Sequence, residues 1–362
     1  MRIGVIGAGQ LGRMLALAGI PLGLQFRFLD RNPAAPAGQL APLVVGEFED
    51  RTRLAELASQ VDLITFDWEN VSVEALGAIG TRVPVLPPPP ALAVSQDRLL
   101  EKQLFRELGI PTPASAAVAT RAEFTAALRH IGVPGVLKTR RLGYDGKGQF
   151  VVRTERDADA AWSALGQYAL IYEAFVDFTR EVSLIAVRST SGAVAFYPLS
   201  ANTHSNGILN HTVAPWTDRK LQSEAQRHLR RLLTRLDYAG VLTVEFFVVR
   251  GRLLANEIAP RVHNSGHWTI EGAITSQFEN HLRAILGWPL GNTAPLGHAA
   301  MINFVGKLPA RERWLGERSL FFHDYGKEPR PGRKIGHCTI LETSAKRRDA
   351  RLKRLLQAYR KA

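Results

Sequence analysis

The chain has 362 residues, 46% hydrophobic and 22% charged, which reads as an ordinary globular protein with room for two or three domains. A single cysteine, Cys338, excludes an internal disulfide, and no apolar run approaches the roughly 20 residues of a membrane-spanning helix. The net charge of +13 invites a nucleic-acid reading, but the stretch "AKRRDARLKRLLQAYRKA" alone carries eight Lys and Arg against one Asp.

In that stretch Leu352, Leu355, Leu356 and Tyr359 recur at helical spacing, which predicts a docked surface helix with a solvated basic face. No nucleic-acid or membrane partner is expected. Met1 leads directly into a strand pattern, so no signal peptide is expected and the expected location is the cytoplasm.

From the start of the chain to about residue 90, strand patterns "RIGVIG", "LQFRFLD", "APLVVGE", "VDLITFD" and "VPVLP" alternate with helical segments, the signature of a parallel sheet with right-handed crossovers. Gly7, Gly9 and Gly12 spell G-x-G-x-x-G after the first strand, and Asp30 closes the second. A dinucleotide-binding domain keeps its ribose-binding acid there, so an NAD-dependent oxidoreductase is one reading. The prolines at 87–90 cannot pair as a strand and predict a stiff boundary.

"SQDRLLEKQLFRELG" then predicts a helix ending at Gly109. Residues 114–176 read as a small mixed domain, with strands "ASAAVA", "GVLKTR", "QFVVR" and "ALIYEAF" and helices from Arg121 and near Asp157. Residues 180–290 carry long strands and helices near 220–236 and 274–286. The last 70 or so residues predict a small strand-rich module followed by the basic helix.

The residues suited to chemistry cluster in four places. In "GVLTVEFFVVRGRLLANEIAPRVHNSGHW" two apolar strands flank Arg250-Gly251-Arg252, an antiparallel hairpin. A three-residue turn ending at Gly251 pairs 248 with 252 and makes Glu245 and Glu257 diagonal neighbours on one face, with Cα atoms roughly 7–8 Å apart. A two-residue turn puts them on opposite faces. Two carboxylates on an apolar face repel and are costly to desolvate, and a Mg²⁺ ion that also takes triphosphate oxygens relieves both. The alternative is a structural ion network with Arg261 and Arg252.

Second, "KTRRLGYDGKGQF" sets Gly143, Gly146 and Gly148 between two strands, as in a flap whose N–H groups close over phosphates, with Lys138 as a fixed positive charge. Third, Arg261, His263, Asn264 and His267 crowd into "RVHNSGHW". Ser265 and Gly266 argue against the helix that a zinc-binding His pair at this spacing needs, so a loop gripping an anionic substrate is preferred. Fourth, Lys327, Arg330, Arg333 and Lys334 surround a Pro-Gly turn suited to phosphate.

Together these motifs resemble the ATP-grasp ligases, and within them the synthases of purine biosynthesis that carboxylate aminoimidazole ribonucleotide. The resemblance spans most of the chain and is most specific in "APRVHNSGHWT" and "RPGRKIGH". It implies an α/β ATP-grasp fold in three parts. These are an N-terminal Rossmann-like domain at 1–95, an ATP-grasp region at 96–290 with a lid at about 114–176, and a C-terminal module at 291–362. A homodimer is also implied.

ATP phosphates are expected at Arg98, Lys138 and the loop Gly143, Tyr144, Asp145, Gly146, Lys147, Gly148 and Gln149. Adenine and ribose are expected at Glu173, Ala174, Phe175, Val176 and Glu181, with His204 lining the nucleotide site. Glu245 and Glu257, with Asn256 beside them, match the magnesium-binding positions, where Mn²⁺ can substitute. Many ATP-grasp enzymes add an Asn two residues after the second Glu; here that residue is Ala259, leaving water to complete the shell.

The resemblance further places the phosphate of aminoimidazole ribonucleotide at Gly9, Gln10 and Leu11, with Lys327, Arg333 or Lys334 opposite. Glu69, Tyr144, Asp145, Lys147 and Asn264 are expected against the rest of that substrate. Catalysis falls to Asp145, Lys147, Arg261 and His263, which handle bicarbonate, its phosphorylated form and the amine proton. The glycine fingerprint is then a phosphate cradle at a helix N-terminus. A formate-dependent transformylase of the same superfamily stands as the nearest alternative.

Overall fold

The computed structural model describes residues 1–143 and 146–361. The first sheet is parallel with order β3-β2-β1-β4, built from β1 (Arg2–Ile6), β2 (Gln25–Asp30), β3 (Leu43–Val45) and β4 (Leu63–Phe66). Helices α1 (Gln10–Gly19), α2 (Arg51–Ala58) and α3 (Val73–Gly80) connect or follow these strands. The fifth expected strand, "VPVLP", makes only a single bridge, Ile64 to Val85. Pro84 and Pro87 lack the N–H groups that would extend it.

The proline run does not merely stiffen the chain. Pro88 caps and Pro89 opens α4 (Pro89–Ser95), because the fixed φ of proline suits a first helical turn. A second helix, α5 (Arg98–Glu107), starts at Asp97, whose carboxylate accepts from the Leu99 N–H at 3.0 Å.

A second, antiparallel sheet of order β5-β8-β6-β7 contains β5 (Ser115–Val118), β6 (Gly135–Thr139), β7 (Gln149–Val152) and β8 (Leu170–Ala174). It packs on α6 (Arg121–Ile131) and α7 (Ala158–Leu165) through Phe124, Leu137, Val152 and Tyr172.

The central sheet has nine strands in the order β14-β13-β9-β11-β12-β15-β17-β16, with β10 paired to β9. Its first strands are β9 (Arg180–Arg188), β10 (Val194–Phe196), β11 (Ser200–Ser205) and β12 (Ile208–Ala214). After α8 (Arg219–Arg235) come β13 (Gly240–Val249), β14 (Arg252–Ala259), α9 (Thr269–Gly272) and α10 (Gln277–Ile285). The strand-rich C-terminal region follows as β15 (His298–Val305), α11 (Arg311–Leu315), β16 (Leu320–Asp324), β17 (Lys334–Glu342) and α12 (Ala345–Lys361). Its strands continue the central sheet, because β15 pairs with β12.

The β11–β12 hairpin escapes the sequence pattern because polar residues occupy its core positions. Asn202 donates to Ser183 Oγ at 3.1 Å and accepts from Thr212 Oγ1 at 3.0 Å, all three buried. Helix α12 is docked by Leu352, Leu355 and Tyr359, as its spacing predicts. Among the described residues no helix is long and apolar enough to cross a membrane.

The β13–β14 hairpin corrects one expectation and rescues its consequence. Its turn has two residues, Arg250 at φ 48° and Gly251 at φ 71°, and pairs Val249 with Arg252. That parity alone would put Glu245 and Glu257 on opposite faces. A β-bulge restores them: Phe246 pairs with Ala255 but Glu245 pairs with Glu257, leaving Asn256 as the extra residue. The two acids are therefore directly opposed on one face, and their Cα atoms are closer than the diagonal arrangement predicts.

A side chain at Gly251 would meet open space, so its φ of 71° isolates the backbone requirement of the turn. Gly251→Ala is expected to destabilise the protein by about 1–2 kcal/mol, seen as a lower urea midpoint at unchanged m-value. An unchanged midpoint contradicts the left-handed turn.

Candidate active site

A cleft of about 930 Å³ is lined by residues of all three sheets and their connecting loops. On its floor Glu257 accepts from Arg98 Nη1 at 3.3 Å, while Glu245 Oε1 lies 3.6 Å from His263 Nε2. Burial pushes the Glu245 carboxyl up to about 7, against the pull of His204 and with the help of the Glu257 charge. Burial also raises Glu257, but Arg98 and Lys138 outweigh it and hold that carboxyl below its ordinary range.

The alternative ion network is not formed. Arg261 pairs with Glu69 at 2.6 Å, and Arg252 sits at the hairpin end.

These residues fit a hard divalent cation. Two carboxylates face one another, one lacks a strong counter-charge, and the neighbouring Asn256 Oδ1 is buried with no partner. A pair of carboxylates suits Mg²⁺, which keeps waters and shares phosphate oxygens.

Toward the second sheet, Lys138 Nζ donates to Glu173 Oε2 at 2.8 Å, and Lys102 Nζ stands 3.7 Å from Glu173 Oε1. Burial would raise Glu173, yet the two lysines bring it down to about 2. His204 Nδ1 lies 2.6 Å from Glu181 Oε2; burial would lower the imidazole, but this hydrogen bond together with the charges of Glu245, Glu181 and Glu257 raises it above its ordinary range. Phe178 and Phe247 stack with centroids 4.8 Å apart and form an apolar wall beside Phe175 and Val176.

Gly143, Gly146, Lys147 and Gln149 line the cleft, and Arg98 Nη2 donates to the Gly143 carbonyl at 3.5 Å. Gly148 packs on Thr139, where a Cβ would come within 2.5 Å of Oγ1, and is not among the lining residues. Tyr144 and Asp145 lie outside the described residues.

At the opposite end, Gly9, Gln10 and Leu11 open α1, and Lys327 Nζ donates to Gln10 Oε1. Two carboxylates are turned onto the glycine loop itself. Asp30 Oδ2 accepts from the Ala8 N–H at 2.8 Å, and Asp67 Oδ2 accepts from the Gly12 N–H at 3.0 Å. A Cβ at Gly7 would fall 1.7 Å from Asp67 Oδ1, so that carboxyl lies flush against the loop. Burial pushes Asp67 up to about 6. Asp30, the acid expected to hold a ribose in the oxidoreductase reading, is turned onto the backbone N–H groups of Ala8 and Asn32.

Arg333 and Lys334 line the same cleft, and the charges of both bear on Lys327. Asn264 lines the cleft, but its amide exchanges two hydrogen bonds with that of Asn303, at 3.0 and 2.8 Å. His267 is fully buried, its ring centroid 4.9 Å from that of His337.

Sequence reasoning missed Asp67, Lys102 and the Phe178–Phe247 wall. Lys102 had a legible signal: Glu101 and Lys102 fall on the same helical face as Leu104 and Phe105, where charge is unexpected.

Several histidines are held neutral by burial, His281 with a pKa brought down to about 3 and His263, His267 and His337 well below the ordinary value. His281 Nδ1 accepts from the Val241 N–H at 3.1 Å, so its proton sits on Nε2, 2.9 Å from Thr65 Oγ1. The unfolded chain protonates these rings near pH 6.5, whereas the folded chain resists until far lower pH. Their contribution is intact above about pH 6.5 and falls below it by about 1.4 kcal/mol per unit per ring. Urea midpoints are expected to drop from pH 7 towards pH 5, less steeply than the rings alone would give because the raised carboxyls of Asp67, Glu101 and Glu245 gain stability over the same interval; a midpoint at pH 5 equal to that at pH 7 would refute this.

Comparison with known proteins supplies the family. Profiles described as a ribonucleotide synthetase preATP-grasp domain, an ATP-grasp domain and a phosphoribosylaminoimidazole carboxylase C-terminal domain match residues 1–96, 103–278 and 299–351. The N5-carboxyaminoimidazole ribonucleotide synthase of Pseudomonas aeruginosa is 52% identical over 340 residues, 94% of each chain. The crystal structure of the synthetase from Thermus thermophilus superposes with a TM-score of 0.94 at 52% identity, covering 98% of both chains. That of the Aspergillus clavatus enzyme in complex with ADP and 5-aminoimidazole ribonucleotide gives 0.94 at 30% identity, covering 100% of this chain and 99% of that one. The chain therefore belongs to the N5-carboxyaminoimidazole ribonucleotide synthase family of ATP-grasp ligases.

Proposed function

We propose that this enzyme uses ATP and bicarbonate to carboxylate the exocyclic amine of 5-aminoimidazole ribonucleotide, giving N5-carboxyaminoimidazole ribonucleotide, ADP and phosphate. The observation that carries the reading is one cleft holding an acid pair, a glycine flap, the Arg261–His263 loop and a helix N-terminus faced by Lys327. The Aspergillus relative's complex with ADP and the ribonucleotide supports the same pairing of ligands.

Bicarbonate is a poor electrophile and the amine a weak nucleophile. Transfer of the γ-phosphoryl group to a bicarbonate oxygen gives carboxyphosphate, which releases CO2 and phosphate beside the amine. The new N–C bond forms as the amine loses a proton, which we assign to Asp145. Lys138 and Arg98 offset phosphate charge on the nucleotide side, and Arg261 and His263 orient the bicarbonate.

Mg²⁺, held by Glu245 and Glu257, would neutralise charge on the transferring group. To bind bicarbonate, Arg261 must exchange its Glu69 partner for the new anion, leaving Glu69 to the substrate's sugar and base with Tyr144 and Lys147. The glycine flap would exclude water that otherwise hydrolyses carboxyphosphate.

The ribonucleotide phosphate sits on the N–H groups of Gly9, Gln10 and Leu11 with Lys327 and Arg333 or Lys334 opposite. On this reading the enzyme is a cytoplasmic homodimer divided at about residues 95 and 290.

The direct test is phosphate release at fixed ATP and bicarbonate, with and without the ribonucleotide. Release is expected to depend on it, and formate is not expected to replace bicarbonate. Glu257→Gln is expected to lower ribonucleotide-dependent turnover by about 10²–10³; full turnover in that variant rules out the acid pair's role.

A second expectation concerns pH. Burial, reinforced by Arg333, brings the Lys327 ammonium down to about 8, so its charge is lost as pH rises through that value. KM for the ribonucleotide is expected to rise roughly tenfold between pH 7 and 9, and Lys327→Met to raise it at pH 7 and flatten the profile. A wild-type KM level across that interval counts against a phosphate contact.

A further inference from the structure

The bulge that brings Glu245 and Glu257 together lies in β14, the outermost strand of the central sheet. An edge strand leaves backbone groups unpaired on its outer side, and a bulge loosens the ladder further. Here the outer side is occupied by α5 and the segment after it. The Ala255 N–H donates to the Pro111 carbonyl at 2.7 Å. Lys102 Nζ donates to the carbonyl of Asn256, the extra residue, at 2.6 Å. The Ile258 N–H donates to Glu101 Oε1 at 2.5 Å. Three successive contacts thus bracket the bulge from one helix and its exit.

Glu101 and Lys102 are 2% and 0% exposed, on the same face as Leu104 and Phe105. Apolar residues of similar volume would pack there without the cost of burying charge. As immediate neighbours on a helix they do not face one another, and each reaches a different backbone group of β14. Lys102 also stands 3.7 Å from Glu173 on β8, so it links the second sheet to the bulge.

We propose that Glu101 and Lys102 are positioning residues for the cation site: by holding the two sides of the Asn256 bulge they fix Glu257 opposite Glu245. The inference rests on the reading of that acid pair as the holder of a divalent cation. Neither residue donates a ligand in this role. They act through the backbone of β14, and loss of either lets the bulge migrate or relax without removing a carboxylate.

The test uses the full-length enzyme with Mn²⁺ as a paramagnetic probe. Mn²⁺ binding to the ADP complex is measured by electron paramagnetic resonance, ADP binding in EDTA by calorimetry, and folding by near-ultraviolet circular dichroism. Glu101→Met and Lys102→Met are expected to weaken Mn²⁺ binding by about tenfold or more while the metal-free affinity for ADP changes far less. Glu101→Gln, which keeps an acceptor for the Ile258 N–H, is expected to recover most of the Mn²⁺ affinity.

The proposal is overturned if both methionine variants fold and hold Mn²⁺ as the wild type does, if ADP in EDTA weakens as much as Mn²⁺, or if Glu101→Gln falls as far as Glu101→Met. Should Lys102→Met not fold, the two Glu101 variants decide. A Glu257→Gln variant that binds Mn²⁺ normally sinks the metal reading itself, and the clamp with it. Wild-type dependence on Glu257 combined with indifference to Glu101 and Lys102 sinks the clamp alone.

Discussion

Side chains on a strand alternate between faces, so a hairpin can bring two given residues to one face only if the residues between them have the right parity. The two-residue turn at Arg250–Gly251 gives the wrong parity for Glu245 and Glu257, and one inserted residue, Asn256, reverses it. The acid pair, its raised Glu245 carboxyl and the orphaned Asn256 amide oxygen all follow from that single residue. The acid-pair end of the cleft is built around the result.

The cations of the cleft are largely committed before any ligand arrives. Arg98 is on Glu257, Lys138 on Glu173, Arg261 on Glu69 and Lys327 on Gln10. Ligand anions therefore exchange with resident partners rather than filling a bare positive field. Such exchange favours selectivity: an anion must reproduce the geometry of the group it displaces to recover the lost interaction. The carboxylates of Asp30 and Asp67 do the same at the first glycine loop, where they already occupy two backbone donors. A pyrophosphate, which spreads its charge over more of such a loop, finds part of the cradle filled.

Much of the fold was legible in the sequence because its strands are apolar and its helices carry regular caps. The N-terminal parallel sheet, the small antiparallel unit and the docked helix α12 follow from alternation, from caps such as the Thr120–Glu123 box, and from Leu352, Leu355 and Tyr359 at helical spacing. What escaped was structure whose pattern is broken by polar burial or whose logic is long-range. Ser183, Asn202 and Thr212 satisfy one another inside the sheet and hide the β11–β12 hairpin. A bulge has no local sequence mark of its own, since it depends on Glu101, Lys102 and Pro111 more than a hundred residues away. The motif residues were found by type and spacing, but the commitment of the Asn264 amide to Asn303 needed coordinates.

The union of the C-terminal strands with the central sheet carries a consequence for how distant motifs meet. From β13 to β17 there are five strand spacings, so on a flat sheet Glu245 and Lys334 would stand roughly 24 Å apart. Yet the Lys334 charge bears directly on the Glu245 carboxyl, and both residues line one cleft. One continuous sheet therefore frames the cleft from the acid pair to the C-terminal basic turn. A displacement of the C-terminal strands would be transmitted through shared backbone hydrogen bonds to the strands that carry the two acids.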